Sequence, residues 1–311
     1  MKNCPALSSL SETRFFLTLL LVISSIVISC KNADKNNYSN KDSLYKKLYA
    51  NGKLKQEAFK NKDTIIIKDY YPNGKLKQEV HNSDSDGNDD SLYSGYVLCY
   101  DSNGIINMKK SYVKGNKSMI EKCYFTNGTL SHIGLYVNAL EDSTWIWYYE
   151  NNSIKLRYNY LHGKLFGESV SYFNDKKIEK YYFITTGERF VYLREYDSIG
   201  NIIDEQGVPI SQICKDTFAI NDTVKFYTII GLLSDWDVNL SIKDVSKGGN
   251  KIIKQISNKN ELHRNIYGYN LTIEQVCKKK GVYKWRTQMK ITDKKYNREI
   301  NYSDTLEFTV R

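Results

Sequence analysis

The residues able to do chemistry are few. Four histidines, His81, His132, His162 and His263, lie far apart in unrelated contexts, without the short spacing of paired metal ligands. There is no Cys-x-x-Cys pair, no G-x-S-x-G, no H-E-x-x-H and no glycine-rich phosphate loop opening a helix. The histidines are therefore expected to be structural or solvated, and no catalytic residue is assigned. One stretch offers oxygen ligands at alternate positions, as bound calcium requires: Asp84, Asp86, Asn88 and Asp90. Its glycine, Gly87, stands fourth instead of sixth, and Gly95 occupies the twelfth position, where a bidentate Glu belongs. The stretch is a weak calcium candidate and reads as a solvated acidic loop, so no metal and no cofactor are expected.

The frame around these residues is set by composition. The chain has 311 residues, 45 Lys+Arg against 35 Asp+Glu, and a net charge of +10. At roughly 100–200 residues per domain this suggests two domains. With 41% hydrophobic residues and 26 tyrosines, the chain has enough apolar surface to exclude wholesale disorder. Six cysteines are too few for a disulfide-dense scaffold.

Residues 15–29, FFLTLLLVISSIVIS, are apolar and follow Lys2 and Arg14. The run is short for a membrane span, which needs about 20 residues, and suits the apolar core of a signal peptide. It ends Val27-Ile28-Ser29-Cys30, which resembles the lipobox of bacterial lipoproteins. The resemblance implies cleavage before Cys30, acylation of that residue, and a membrane lipid as the partner that holds it in the cell envelope. Lys31, where an Asp would favour inner-membrane retention, implies the outer membrane. Residues 1–29 are then signal and 30–42 a polar tether. Removing Lys2, Arg14 and Glu12 lowers the charge by one, and 10 − 1 leaves +9 on the mature chain.

The next segment is a repeat. Tyr71-Pro72-Asn73-Gly74-Lys75-Leu76-Lys77-Gln78-Glu79 restates Tyr49-Ala50-Asn51-Gly52-Lys53-Leu54-Lys55-Gln56-Glu57, and related units centre on residues 103, 127, 151, 175 and 199. Three residues after each centre stands Leu or Ile; three before it stands Leu48, then Tyr70, Tyr100, Tyr124, Tyr148, Tyr172 and Tyr196. A three-residue loop, a type I turn with its last residue left-handed, makes those two columns cross-strand neighbours, as in the pair Tyr70 and Leu76. A second turn falls twelve residues after the centre, at Gly115, Ala139, Gly163 and Gly187. The N-G-K-L-K core and the turn Gly163-Lys164-Leu165-Phe166-Gly167-Glu168 resemble the bacterial variant of the MORN (membrane occupation and recognition nexus) repeat. Members of that family are often labelled antitoxin-like, which implies a toxin-neutralising alternative.

After Pro209 the pattern stops, and about five to seven short alternating stretches follow, the number expected of a β-sandwich. Gly281-Val282-Tyr283-Lys284-Trp285 resembles the tyrosine-corner segment of immunoglobulin-like domains, with Trp285 where that family has Cys. The fold expected is all-β: an antiparallel meander of seven MORN-like β-hairpin repeats (43–205) followed by an immunoglobulin-like β-sandwich (210–311). Cys99 and Cys123 share a column one strand apart, too far for a disulfide. Whether Cys214 and Cys277 are bonded stays open.

Function follows from one more column. Two residues before the centres stand Tyr49, Tyr71, Phe125, Tyr149 and Phe173, in phase with Trp145 and Trp147. If the sheet is a single layer, this face stays open and forms a binding surface for a protein or glycan partner. The dispersed positive charge and the export signal exclude nucleic acid as a partner. The expectation is a non-enzymatic envelope lipoprotein acting as a binding or scaffold module; the alternatives are an antitoxin or immunity-type protein and a glycan-binding or glycan-active surface protein.

Overall fold

The computed structural model describes residues 42–62, 64–83, 94–112, 117–185 and 189–311. Cys30, the acidic stretch from Asp84 to Asp90, Gly115 and Gly187 lie outside these residues. Packing divides the chain into two compact units, residues 1–155 and 156–311. The repeat pattern runs past that division.

The strands are β1 (Asp42–Leu48), β2 (Leu54–Asn61), β3 (Thr64–Tyr70), β4 (Leu76–Ser83), β5 (Ser94–Tyr100), β6 (Ile106–Tyr112), β7 (Ser118–Tyr124), β8 (Leu130–Val137), β9 (Leu140–Tyr148), β10 (Ile154–Leu161), β11 (Lys164–Leu165), β12 (Gly167–Tyr172), β13 (Ile178–Thr185), β14 (Arg189–Tyr196) and β15 (Ile202–Gly207). They form one antiparallel sheet whose order follows the chain, with the two-residue β11 pairing only β10. Among the described residues no helix is long and apolar enough to cross a membrane.

Turn chemistry explains this order. In all seven turns the residue two before the centre donates its N–H to the carbonyl two after it, as Tyr71 does to Lys75 at 2.8 Å; the residue one after the centre donates back, as Gly74 does to Tyr71 at 2.8 Å. This is the three-residue loop, and it pairs Tyr70 with Leu76, Tyr100 with Ile106, Tyr124 with Leu130, Tyr172 with Ile178 and Tyr196 with Ile202. The residue after the centre must be left-handed. Gly74 has φ 90°, and where glycine is missing Asn152 (64°) and Lys176 (70°) take the same conformation.

The second turn is a two-residue type I′ turn. Asn138 and Ala139 have φ 52° and 62°, and the flanking Val137 and Leu140 pair. An Ala Cβ is strained there by about 1 kcal/mol. Ala139→Gly is therefore expected to stabilise the hairpin by up to about 1 kcal/mol in a urea melt. Unchanged or lower stability would mean that this turn is not held left-handed.

In the second unit, β16 (Ile210–Ile213), β18 (Thr223–Ile230), β21 (His263–Asn265) and β22 (Gly268–Val276) make one sheet, in the order β16-β18-β22-β21. The other sheet runs β17-β24-β23-β19-β20, from β17 (Thr217–Phe218), β19 (Trp236–Asp244), β20 (Lys251–Ile256), β23 (Gly281–Asp293) and β24 (Arg298–Val310). Alternation explains the packing: along β18 Val224, Phe226, Thr228 and Ile230 are buried while Thr223, Lys225 and Tyr227 are exposed. The core these strands share with Trp236, Trp285 and Phe308 also takes in Val170, Tyr181, Phe183, Tyr192 and Tyr196. Those five belong to β12–β14, so the last repeats and the sandwich are one packed body. Cys214 and Cys277 are free thiols, and Cys99 and Cys123 are separated by Met108 on the intervening strand.

Candidate functional site

Each residue of the N-G-K-L-K core has a separate task in the array. The Asn73 side chain accepts the Lys75 N–H at 3.0 Å and donates to the Ser102 carbonyl of the next turn at 3.1 Å. Gly74 takes the left-handed position. Lys75 reaches across to the Asn103 carbonyl at 2.9 Å, and Leu76 pairs with Tyr70. Lys77 places its ammonium 5.9 Å from the Tyr71 ring, as Lys55 does over Tyr49 at 5.7 Å and Lys155 over Tyr149 at 5.6 Å.

The aromatic column two before the centre also ties one unit to the next. Tyr49 Oη donates to the Tyr70 carbonyl at 2.7 Å and Tyr71 Oη to the Tyr100 carbonyl at 2.8 Å. Units three and seven carry Asp101 and Asp197 in that column, and their carboxylates accept two turn N–H groups each. Those bonds hold both carboxyls below the usual aspartate range, with the N–H of Ile105 and of Asn201 the largest contributors. Phe125 and Phe173 fill the column without a hydroxyl. Tyr71→Phe is thus expected to keep the fold and lose about 1 kcal/mol, the worth of one hydrogen bond. A melting point equal to the parent's would show that the Tyr100 carbonyl finds water instead.

Burial varies along the aromatic face. Tyr49, Tyr71, Phe125, Trp147, Tyr149 and Phe173 are half-buried, and Trp145 is 4% exposed. In the first unit the buried apolar residues Ala58, Ile67, Val80, Val97, Met119, Cys123 and Trp145 lie on this same face, leaving Ile66 on the other. The more open face is that of the Tyr/Leu/Ile pairs, where Leu48 is 61% exposed and Ile106 and Ile154 are each 39% exposed. The physical reason is shielding by neighbours: small side chains in the middle of a row are covered by the large ones that flank them.

Within the aromatic face the strand register assembles a polar cluster. Cys99, Met108, Cys123, His132 and Trp147 form one row across β5–β9, each paired with the next. One step along β7, Glu121 pairs with Lys110 on one side and Gly134 on the other. Glu121 Oε1 stands 3.4 Å from His132 Nε2, and its Oε2 stands 3.2 Å from Lys110 Nζ. Ligand atoms of Glu121, Cys123 and His132 all lie within 4.8 Å of one another. Burial would raise the Glu121 pKa, but the hydrogen bond to His132 and the Lys110 ammonium outweigh it and hold the carboxyl below the ordinary glutamate range. The His132 ring is stacked 6.2 Å from Trp145 and 6.0 Å from Trp147. Trp145 rests on Gly134 and donates its indole N–H to the Leu135 carbonyl at 3.1 Å.

Sequence spacing missed this cluster. Cys123 and His132 are four before and five after a turn centre; the three-residue loop alone would pair Cys123 with Ser131, and the register shift after the Tyr124–Leu130 pair sets it opposite His132 instead. The other histidines do not join it; His81 bonds Glu79 at 2.7 Å and stacks on Tyr96.

The second unit has its own buried polar centre. The Arg194 guanidinium is wholly buried, bonds Asp293 and Glu205, and lies 4.6 Å over the Trp236 ring. Nearby, Glu168 of the Gly-Lys-Leu-x-Gly-Glu turn accepts from the Leu232 N–H at 2.9 Å and pairs with Arg264.

No curated protein sequence matches the chain. A family model, described as the MORN repeat variant, matches residues 64–81 and 141–162. Each matched stretch contains one of the seven turns, with the aromatic residue, Tyr71 or Tyr149, whose N–H closes it.

Proposed function

We propose that the protein is an exported lipoprotein, anchored through acylated Cys30 to the outer membrane of the bacterial envelope, and that its repeat sheet is a non-catalytic scaffold for a protein or glycan partner. The observation that carries this reading is the sevenfold recurrence of one turn across a single sheet, with a Lys–aromatic pair beside it in units one, two and five. A regular array of that kind offers an extended surface to an extended partner, as solenoid scaffolds do. The polar tether of residues 31–42 lets the array stand clear of the lipid. The sandwich is read here as immunoglobulin-like. Its strand order supports this, with the first strand divided between the sheets as β16 and β17, and so does the Tyr283 hydroxyl, which donates to the Lys279 carbonyl at 2.8 Å.

Two measurements test the reading. Cys30→Ala is expected to move the protein from the membrane to the soluble fraction; retention would remove the anchor. A soluble form starting at residue 31 is expected to retain one envelope protein or glycan, and Tyr149→Ala and Phe173→Ala, checked by circular dichroism, should weaken that capture. Equal capture by the folded variants would take the binding surface away from the aromatic column.

A further inference from the structure

We propose that Glu121, Cys123 and His132 form a binding site for a divalent zinc-type metal ion. The three side chains come from one strand pair. Cys123 and His132 are directly opposite and Glu121 is one step along the same face, so the paired backbones of β7 and β8 set their separation. Their ligand atoms lie within 4.8 Å of one another.

The distances suit a small ion. Bonds of about 2.0 Å from zinc to nitrogen and oxygen place two tetrahedral ligands about 3.3 Å apart. The His132 Nε2 to Glu121 Oε1 separation is 3.4 Å. Closing the thiol onto the same centre takes a shift of about 1 Å, within the reach of side-chain torsions.

The donor set narrows the choice of metal. A thiolate, an imidazole and a carboxylate together favour zinc or cobalt over magnesium and calcium, which take oxygen ligands alone. Three protein ligands leave a fourth position for water or for a donor from a partner.

The surroundings orient the ligands. Lys110 Nζ holds the far carboxylate oxygen, Oε2, at 3.2 Å, which turns Oε1 toward His132 and Cys123. That is the outer hydrogen bond that metal-binding carboxylates commonly have. The stacked indoles of Trp145 and Trp147 fix the plane of the imidazole. Cys123 is 2% exposed and Glu121 7%, while His132 is half-buried, so the site opens to solvent at the imidazole. The competing reading is a plain Glu–His hydrogen bond beside a thiol that binds no metal.

The test uses the metal-free, reduced protein titrated with Co²⁺ as a spectroscopic stand-in for zinc. One equivalent is expected to raise a thiolate-to-cobalt charge-transfer band in the near ultraviolet and to quench tryptophan fluorescence, and Zn²⁺ should abolish both. Cys123→Ser should lose the band, and Glu121→Gln should weaken binding at least tenfold. Cys99→Ser, in the same row two strands away, should keep the band at full height. Circular dichroism of each variant separates lost binding from lost fold. No band from the parent protein, or a band that survives Cys123→Ser and disappears with Cys99→Ser, would overturn the site and leave the Glu–His hydrogen bond.

Discussion

Replacing Arg194 by methionine is expected to cost the second unit about 3–5 kcal/mol, the largest loss from any single substitution considered. The guanidinium is wholly buried and so is its partner Asp293. Nε and Nη2 both bond Glu205 Oε1, at 3.0 and 2.5 Å, and the same oxygen accepts the Tyr192 hydroxyl at 2.5 Å. Methionine fills most of the volume over Trp236 but leaves the Asp293 carboxylate uncompensated in a dry core. That stranded charge, more than the lost bonds, sets the magnitude. The double variant Arg194→Met with Asp293→Asn should therefore recover part of the loss. Urea unfolding followed by tryptophan fluorescence measures both; a single-variant cost below about 1 kcal/mol would mean that water reaches the network.

The same centre has a pH signature. Burial pushes the Glu205 carboxyl up, but the hydrogen bonds from Tyr192 and Arg194 outweigh it, and its pKa lies below the ordinary glutamate range. A carboxyl lowered by folding contributes stability that is complete above its unfolded pKa of about 4.3 and is lost as pH falls through the lower folded value. The penalty of Arg194→Met is accordingly expected to shrink in acid, below about pH 4. An unchanged penalty from neutral pH down to pH 3 would exclude Glu205 from it.

Gly134→Ala is the second large effect, at about 2–3 kcal/mol. A Cβ on Gly134 would come 2.0 Å from Cδ2 and 2.1 Å from Cε2 of the Trp145 indole. The indole cannot simply slide away. Its N–H bonds the Leu135 carbonyl, its edge meets the Tyr136 ring at 5.0 Å, and Trp147 stacks on it at 5.8 Å. Displacing Trp145 also removes one of the two stacks that orient His132. A double-mutant cycle isolates the clash: Trp145→Leu should cost less in the Gly134→Ala background than in the parent. The near-ultraviolet circular dichroism of the Trp145–Trp147 pair should fall with Gly134→Ala alone. Equal costs in both backgrounds would show that the glycine is not needed for the close approach.

The parts of this protein that the sequence determined are the ones written within a few consecutive residues. Asn73-Gly74 specifies the turn, the left-handed residue and the register that sets Tyr70 opposite Leu76, because a three-residue loop permits little else. The all-β class and the chain-order meander follow from repeating that turn. What covers each face is a different matter. Both faces of the repeat carry large apolar columns, so periodicity alone did not say that Ala58, Ile67, Val80 and Val97 would be buried on the aromatic side. Strand pairing across a hairpin was needed to bring His132 to Cys123 and Glu121. Packing between residues 99 positions apart was needed to bring Arg194 to Asp293 and to give the last repeats a common core with the sandwich. Local turn chemistry is decided by backbone conformations that each residue carries with it. Burial and buried charge are decided by whichever distant surfaces exclude water together, and those exist only once the chain has folded.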